Sequence, residues 1–387
     1  MSVPEREFRM DDSNQPELTL DGSVGGGQYF RSALSFSVLT GRDVEIRDVR
    51  GARENPGLKP QHVAAAEALS SIANAETDGV ERGSRTVSFH PSEVQPGRYA
   101  VDIETAGSVP LVVDAVLPLS LVTPGPVRLQ VTGGTDVKWS PPLSYLRRVK
   151  LPLLREAGVL ASVDVGRRGF YPVGGGEVTL LIGPSKLTPL SLDESGERRG
   201  LRALSTASED LTEADVAERL ADTAIERIGD DWTVLERTVT YVDSDSTGAV
   251  VVLVTEHAPE TGESSGTGES SGTGESSAEI EAGFEPTCRF GASALGEPGV
   301  PAERVAGDAV DALREPIDAG ATVDVHLADQ LLPFLAVAGG RFRAPRLSEH
   351  LETHLKLLEQ FGAAVEWTER DDGTVDVSAT GNSPDRW

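Results

Sequence analysis

The 387-residue chain holds one cysteine, Cys288, two methionines and six histidines. A lone thiol excludes a disulfide framework and a cysteine-based metal site. No apolar run approaches the ~20 residues of a membrane span. The opening MSVPEREFRMDDSNQ is charged and lacks an apolar core, so neither a signal peptide nor a membrane anchor is expected. Lysine is nearly absent. It stands only at 59, 138, 150, 186 and 356, and arginine supplies the remaining basic charge.

Acid dominates instead: the formal charge is −27 and the pI about 4.6. Such a balance ordinarily argues against nucleic acid, whose backbone attracts basic faces. Spread over the whole length, it points to a cytoplasm rich in salt, where the Debye length shrinks to ~3 Å near 1 M and surface repulsion is screened. The charge then describes the solvent more than the ligand, and a halophilic, cytoplasmic protein is expected.

The chain is organised around residues 18–62, LTLDGSVGGGQYFRSALSFSVLTGRDVEIRDVRGARENPGLKPQH. Gly25, Gly26 and Gly27 strip a turn of side chains, so its N–H groups can approach an anion at the start of the next helix. That helix, Gln28 to Thr40, sets Phe30, Ala33, Leu34 and Val38 on one stripe and leaves Arg31 off it. Arg50 and Arg53 follow a strand from Val44 to Val49, and Pro56-Gly57 turns the chain towards Gln61 and His62. Three arginines, a glutamine and a bare turn fit a phosphate site; a solvated basic loop fits equally.

Periodicity predicts three blocks of one order: helix, strand, helix, strand, strand. The first ends near Thr105, with strands Thr86 to Phe89 and Tyr99 to Ile103. The second has helices Pro110 to Val122 and Pro142 to Ala157 around strand Val127 to Val131, then strands Val159 to Gly166 and Val178 to Ile182. Its GFYPVGGGE echoes the opening VGGGQ, which suggests duplication. The third runs from a helix at Pro301 to Ala319 through HLADQLLPFLAVAGG, strand Arg341 to Ala344 and helix Ser348 to Phe361 to a hairpin at Asp371-Asp372-Gly373. A small α/β unit interrupts the order and ends in TGESSGTGESSGTGESSA, too poor in apolar side chains to fold. The boundaries expected are 1–185 with 287–387 for the repeated part and 186–286 for the insertion, its acidic Gly/Ser repeat at about 259–278.

Among the histidines, His90 and His257 read as surface residues near strand ends, and His62 as structural or catalytic. His350 and His354, four apart on one helix face, suit either a metal pair lacking a third ligand or a nucleophile at His350. In the second case Asp329 could hold the other imidazole nitrogen and arginines would steady displaced pyrophosphate. Asp329 could equally be an ordinary acid of a helix start.

LDGSVGGGQYFRSALSFSVLTG, RGARENPGLKPQH, GGTDVKWSPP, GFYPVGGGE, HLADQLLPFLA and SEHLETHLKLLEQF, in this order, resemble the RNA 3′-terminal phosphate cyclase family. The resemblance implies an α/β (α+β) fold of three similar repeats, of the enolpyruvyl shikimate phosphate synthase-like type, with a small inserted α/β domain. It implies ATP and Mg²⁺ or Mn²⁺ as cofactors and RNA 3′-phosphate ends as partner, with AMP carried on a histidine and a 2′,3′-cyclic phosphate as product. Matched motif by motif, the nucleophile falls on His350 and the phosphate-contacting arginines on Arg31, Arg50 and Arg53. The ATP contacts fall on Gln61, Pro141, Phe290, His326, Asp329 and Gln330.

Two departures stand out. Val24 occupies the place of the family's turn acid, which leaves the metal ligand to Asp21 or to the ATP phosphates alone. His354 replaces an asparagine and adds a titrating group beside His350. The alternatives are a non-catalytic cyclase-like RNA-binding or ribosome-assembly factor and, on fold analogy alone, an enolpyruvyl transferase.

Overall fold

The computed structural model describes residues 18–258 and 287–382; the acidic Gly/Ser repeat lies outside them. The first repeat comprises β1 (Leu18–Asp21), α1 (Gly27–Thr40), β2 (Val44–Arg47), α2 (Pro60–Ile72), β3 (Glu76–Asp78) and β4 (Val87–His90). Its sheet runs β1-β2-β4-β3, with the first pair parallel and the other two antiparallel. Phe30, Leu34 and Val38 of α1 are buried as their spacing requires, and Gly41 ends the helix at φ 68°, a left-handed position that costs glycine little.

The second repeat is β5 (Gly97–Asp102), α3 (Val109–Val116), β6 (Val127–Gly133), α4 (Leu143–Tyr145), α5 (Leu151–Glu156), β7 (Ala161–Arg167) and β8 (Gly176–Ile182). Its sheet repeats the pattern as β5-β6-β8-β7. The strand expected to close block one therefore opens block two, and each block begins with a strand. The glycine echo also moves: Gly25 to Gly27 lie between a strand and a helix, whereas Gly174 to Gly176 close the β7–β8 hairpin. The helix expected over 142–157 is broken by a π turn, Leu146–Lys150. Pro152 has no N–H to give and its ring crowds the carbonyl four residues back, so a wider turn there relieves both.

The third repeat starts at β9 (Leu190–Ser191) and is then interrupted by β10 (Glu197–Ser208), α6 (Val216–Ile228), β11 (Val234–Val242), β12 (Ala249–Ala258), β13 (Cys288–Leu295) and α7 (Ala302–Asp318). It resumes with α8 (Val325–Gln330), α9 (Leu332–Ala338), β14 (Gly340–Ala344), α10 (Glu349–Gln360), β15 (Val365–Glu369) and β16 (Val375–Ala379). Its order, β9-β14-β16-β15, is the same again. The interrupting sheet differs, β11-β10-β12-β13. Its last strand pairs Cys288 with His257, and α7 packs on α6 and β13. Both fall beyond residue 286, so sheet pairing carries the insertion further than expected and takes the helix at 301–319 out of block three. Among the described residues no helix is long and apolar enough to cross a membrane.

Candidate active site

The first and third repeats meet where α1 packs on α10. The first turn of α1 is bare: Gly26 stands at its N-cap with no side-chain cap bond, so the N–H groups of that turn are open. A Cβ on Gly26 would lie 3.4 Å from the Arg53 guanidinium, and one on Gly27 only 2.1 Å from His62 Nε2. His62 Nδ1 accepts the Lys59 N–H at 3.0 Å. The ring proton is thereby left on Nε2, facing the glycine turn. Burial, then Arg31, Arg50 and Lys59, keep His62 well below the usual histidine range, so it stays neutral.

Arg31, expected off the apolar stripe, is only 6% exposed. Burial pulls its pKa down to about 10 against the opposing pull of Asp114 and Asp329. Arg50 donates to the carbonyls of Asn55 and Gly57, both at 2.8 Å, which ties down the loop after β2. Arg53 pairs with Glu349 Oε1 at 2.7 Å across the seam. His350, next to Glu349, is exposed on the first turn of α10. Its pKa is lowered by burial on one side and by Arg31, Arg53 and His326, against Glu349. These are the groups sharing its surroundings.

Gln61 Oε1 accepts the Ser108 N–H at 3.1 Å, and Ser108 Oγ meets Ser140 Oγ at 2.5 Å, beside half-buried Pro141. His326 is exposed on α8 and turns its edge to Tyr145, ring centres 5.7 Å apart. Tyr145 OH donates to Asp324 at 2.7 Å, and Asp324 caps α8 by accepting the His326 and Leu327 N–H groups.

Phe290, His257, Asp329 and the His350/His354 pair do not sit as expected. Phe290 is 0% exposed in β13, its ring 5.0 Å from that of His257, and offers no face to a nucleotide. It packs the inserted sheet because the alternation of β13 turns it inwards. His257, expected at the surface, is buried with it. Asp329, the acceptor expected for His350, receives Gln28 Nε2 instead and is buried; no hydrogen bond joins it to His350. As for a metal, no group of three or more His, Cys, Asp or Glu among the described residues could hold an ion. His354 is buried while His350 is exposed, which separates the histidine pair.

Comparisons with known proteins bear on the family of the chain. Residues 23–366 match the RNA 3′-terminal phosphate cyclase family. A relative of that name from Halobacterium salinarum (strain ATCC 29341 / DSM 671 / R1) is 43% identical over 371 residues, 93% of this chain and 99% of its own. Others of the same name come from Caldivirga maquilingensis, 38% identical over 350 residues (89% and 92%), and Pyrococcus furiosus, 37% over 352 (90% and 94%). The chain belongs to the RNA 3′-terminal phosphate cyclase family.

Beneath the surface of this cyclase-family site lies a buried charged layer that sequence reading missed. Lys150, 1% exposed, pairs with Asp114 and lies 5.7 Å from the Phe334 ring centre. Burial and then Asp114 push Asp329 up to about 8, and burial with Lys150 pulls His354 down to about 3. Gln28 lies between them, its Nε2 3.3 Å from His354 Nδ1. Gln28 Oε1 and His354 Nε2 have no partner among the described residues. A cavity of about 20 Å³ lined by Gln28, Arg31, Asp114, Gln330 and His354 has room for one water. The available signal was the scarcity of lysine: one of five, Lys150, sits directly between the apolar Val149 and Leu151.

Proposed function

We propose that the chain converts an RNA 3′-terminal phosphate to a 2′,3′-cyclic phosphate with ATP, His350 carrying AMP between the two. The observation that carries this reading is the grouping of an exposed His350 with Arg31, Arg53 and His326 at the open start of α1. A lowered imidazole pKa leaves more neutral, nucleophilic ring at neutral pH. The imidazole nitrogen attacks the α-phosphorus; an N–P bond forms, the α–β P–O bond breaks and pyrophosphate leaves. An oxygen of the RNA 3′-phosphate then takes the adenylyl group from the ring. Finally the 2′-hydroxyl, losing its proton, attacks the 3′-phosphorus and releases AMP.

The donor set suits this polyanion. Arg31, Arg50 and Arg53, the His62 Nε2–H and the uncapped N–H groups of α1 are cations or donors, and arginine stays charged at any working pH. Mg²⁺ or Mn²⁺, entering with the triphosphate, would supply further charge neutralisation; the described side chains build no cage of their own for it. Pro141 and His326 flank the adenine in this reading, Gln61 stands beside the arginines, and Gln330 belongs with Asp329 near the histidine. The compartment is the cytoplasm.

Incubation with α-labelled ATP and Mg²⁺ or Mn²⁺ in concentrated KCl should label the protein, and His350→Ala should abolish the label. Label retained by that variant overturns the assignment. The shortened turn without an acid favours the rival, a non-catalytic RNA-binding or ribosome-assembly factor. RNA binding with no nucleotide turnover selects it.

A further inference from the structure

A second concavity, about 710 Å³, opens between the second repeat and the inserted sheet. Arg147 and Arg148 reach it from the π turn whose Leu146, Val149 and Lys150 are buried, and Arg167 and Arg168 reach it from the end of β7. Three of the four forks are held. Arg148 pairs with Glu236 at 3.0 Å, Arg167 with Asp245 at 2.6 Å, and Arg168 with Asp136 at 2.8 Å and Ser144 Oγ at 2.7 Å. Arg147 has no hydrogen bond or ion pair among the described residues. Its guanidinium pKa is lowered by burial and by Arg168 and Arg148. The Thr206 and Thr240 hydroxyls across the cleft are likewise without partners among the described residues. Glu177 and Asp243 also line the wall, so the cleft is not a basic patch that steers from a distance. It is a rack of positioned forks with one left over, an arrangement suited to short phosphate contacts where salt has weakened long-range attraction.

A separate observation concerns the segment that joins Asp136, which holds Arg168 at the cleft, to Pro141. Trp139 is 94% exposed, at φ 62°. It stands three residues after Asp136, which holds Arg168, and two before Pro141. An indole in water adds nothing to the core, and an exposed aromatic face is a platform on which any base can stack.

The geometry points to the cleft of Arg147, Arg148, Arg167 and Arg168 as the seat for the backbone of the RNA strand that leads to the reacting 3′ end, with Trp139 stacking a base between cleft and site. The identity of the strand rests on the cyclase reading; the cleft and the indole do not.

The test separates the two readings. Fluorescence anisotropy with a single-stranded RNA of about 12 nucleotides ending in a 3′-hydroxyl needs no chemistry. Arg147→Gln and Trp139→Ala should each weaken binding about tenfold, Arg147→Lys should recover part of it, and thermal melting should not change. Labelling by α-labelled ATP alone should be unchanged in all three. With 3′-phosphate substrates, kcat/KM should fall about tenfold for the long RNA and stay constant for a dinucleotide. Unchanged long-RNA binding, or equal losses for long and short substrates, overturns the inference. So does an Arg147→Gln effect seen with inorganic phosphate but not with the strand. If the unaltered protein cyclises nothing, the cyclase reading fails, while the anisotropy result still decides the strand's path.

Discussion

The first and second repeats share one strand order, yet the starts of their first helices differ. In the second, Ser108 caps α3 by accepting the Leu111 N–H at 3.3 Å, and Pro110 fills a position that needs no donor. The third repeat is closed likewise, by Asp324. In the first, the equivalent place holds glycines, the N–H groups are uncapped, and Arg53 and His62 stand over them. A helix start costs stability when left open, so the repeat that breaks the capping rule is the one equipped to receive an anion. Support differs as well. Behind the open terminus lies the buried layer of Lys150, Asp114, Asp329, Gln28 and His354, where apolar packing would have been simpler.

The comparison breaks most visibly if that layer is cut. Lys150→Met leaves the part-exposed Asp114 without its cation and should cost about 2 kcal/mol of stability by urea denaturation, less than for a fully buried partner. A change under 1 kcal/mol would mean that Arg31 alone balances the carboxylate.

A pH series sharpens it next. The folded pKa of His354 is about 3 against an ordinary 6.5, so the unfolded chain binds the extra proton. This contribution is complete above about pH 6.5 and is lost as pH falls towards 3, on the order of 5 kcal/mol. The folded pKa of Asp329, about 8, acts oppositely and lowers stability as pH rises from about 4 to 8. His354→Asn should flatten the acid limb of a plot of stability against pH and Asp329→Asn the neutral limb. Unchanged limbs would show that neither group carries the dependence.

The smallest change swaps the two helix starts. Gly26 has an extended backbone and space for a Cβ, so Gly26→Ser installs the cap that α3 already has. Stability should hold or rise by a few tenths of a kcal/mol, while KM for ATP rises about tenfold as the hydroxyl competes for the same N–H groups. Ser108→Ala, the reverse, should cost about 1 kcal/mol and leave ATP use alone. Equal effects of the two on ATP would erase the distinction between open and closed termini.

Much of the architecture was legible because alternation and helical stripes are local: the apolar face of α1, the strands Val127 to Val131 and Val178 to Ile182, and the helix from Ser348 all carry their periodicity in adjacent residues. What escaped was short or non-local. Glu76–Asp78 and Leu190–Ser191 are too brief to alternate, and Cys288–Leu295 follows a polar stretch that hides its allegiance to the inserted sheet. The ordered motifs marked Arg31, Arg50, Arg53 and His350, and with them the family. Whether Phe290 faces a nucleotide or a histidine, whether Asp329 meets His350 or Gln28, and how deeply Arg31 is sunk were settled only by packing between segments up to 300 residues apart, because burial and partner choice belong to the whole fold rather than to any window of the chain.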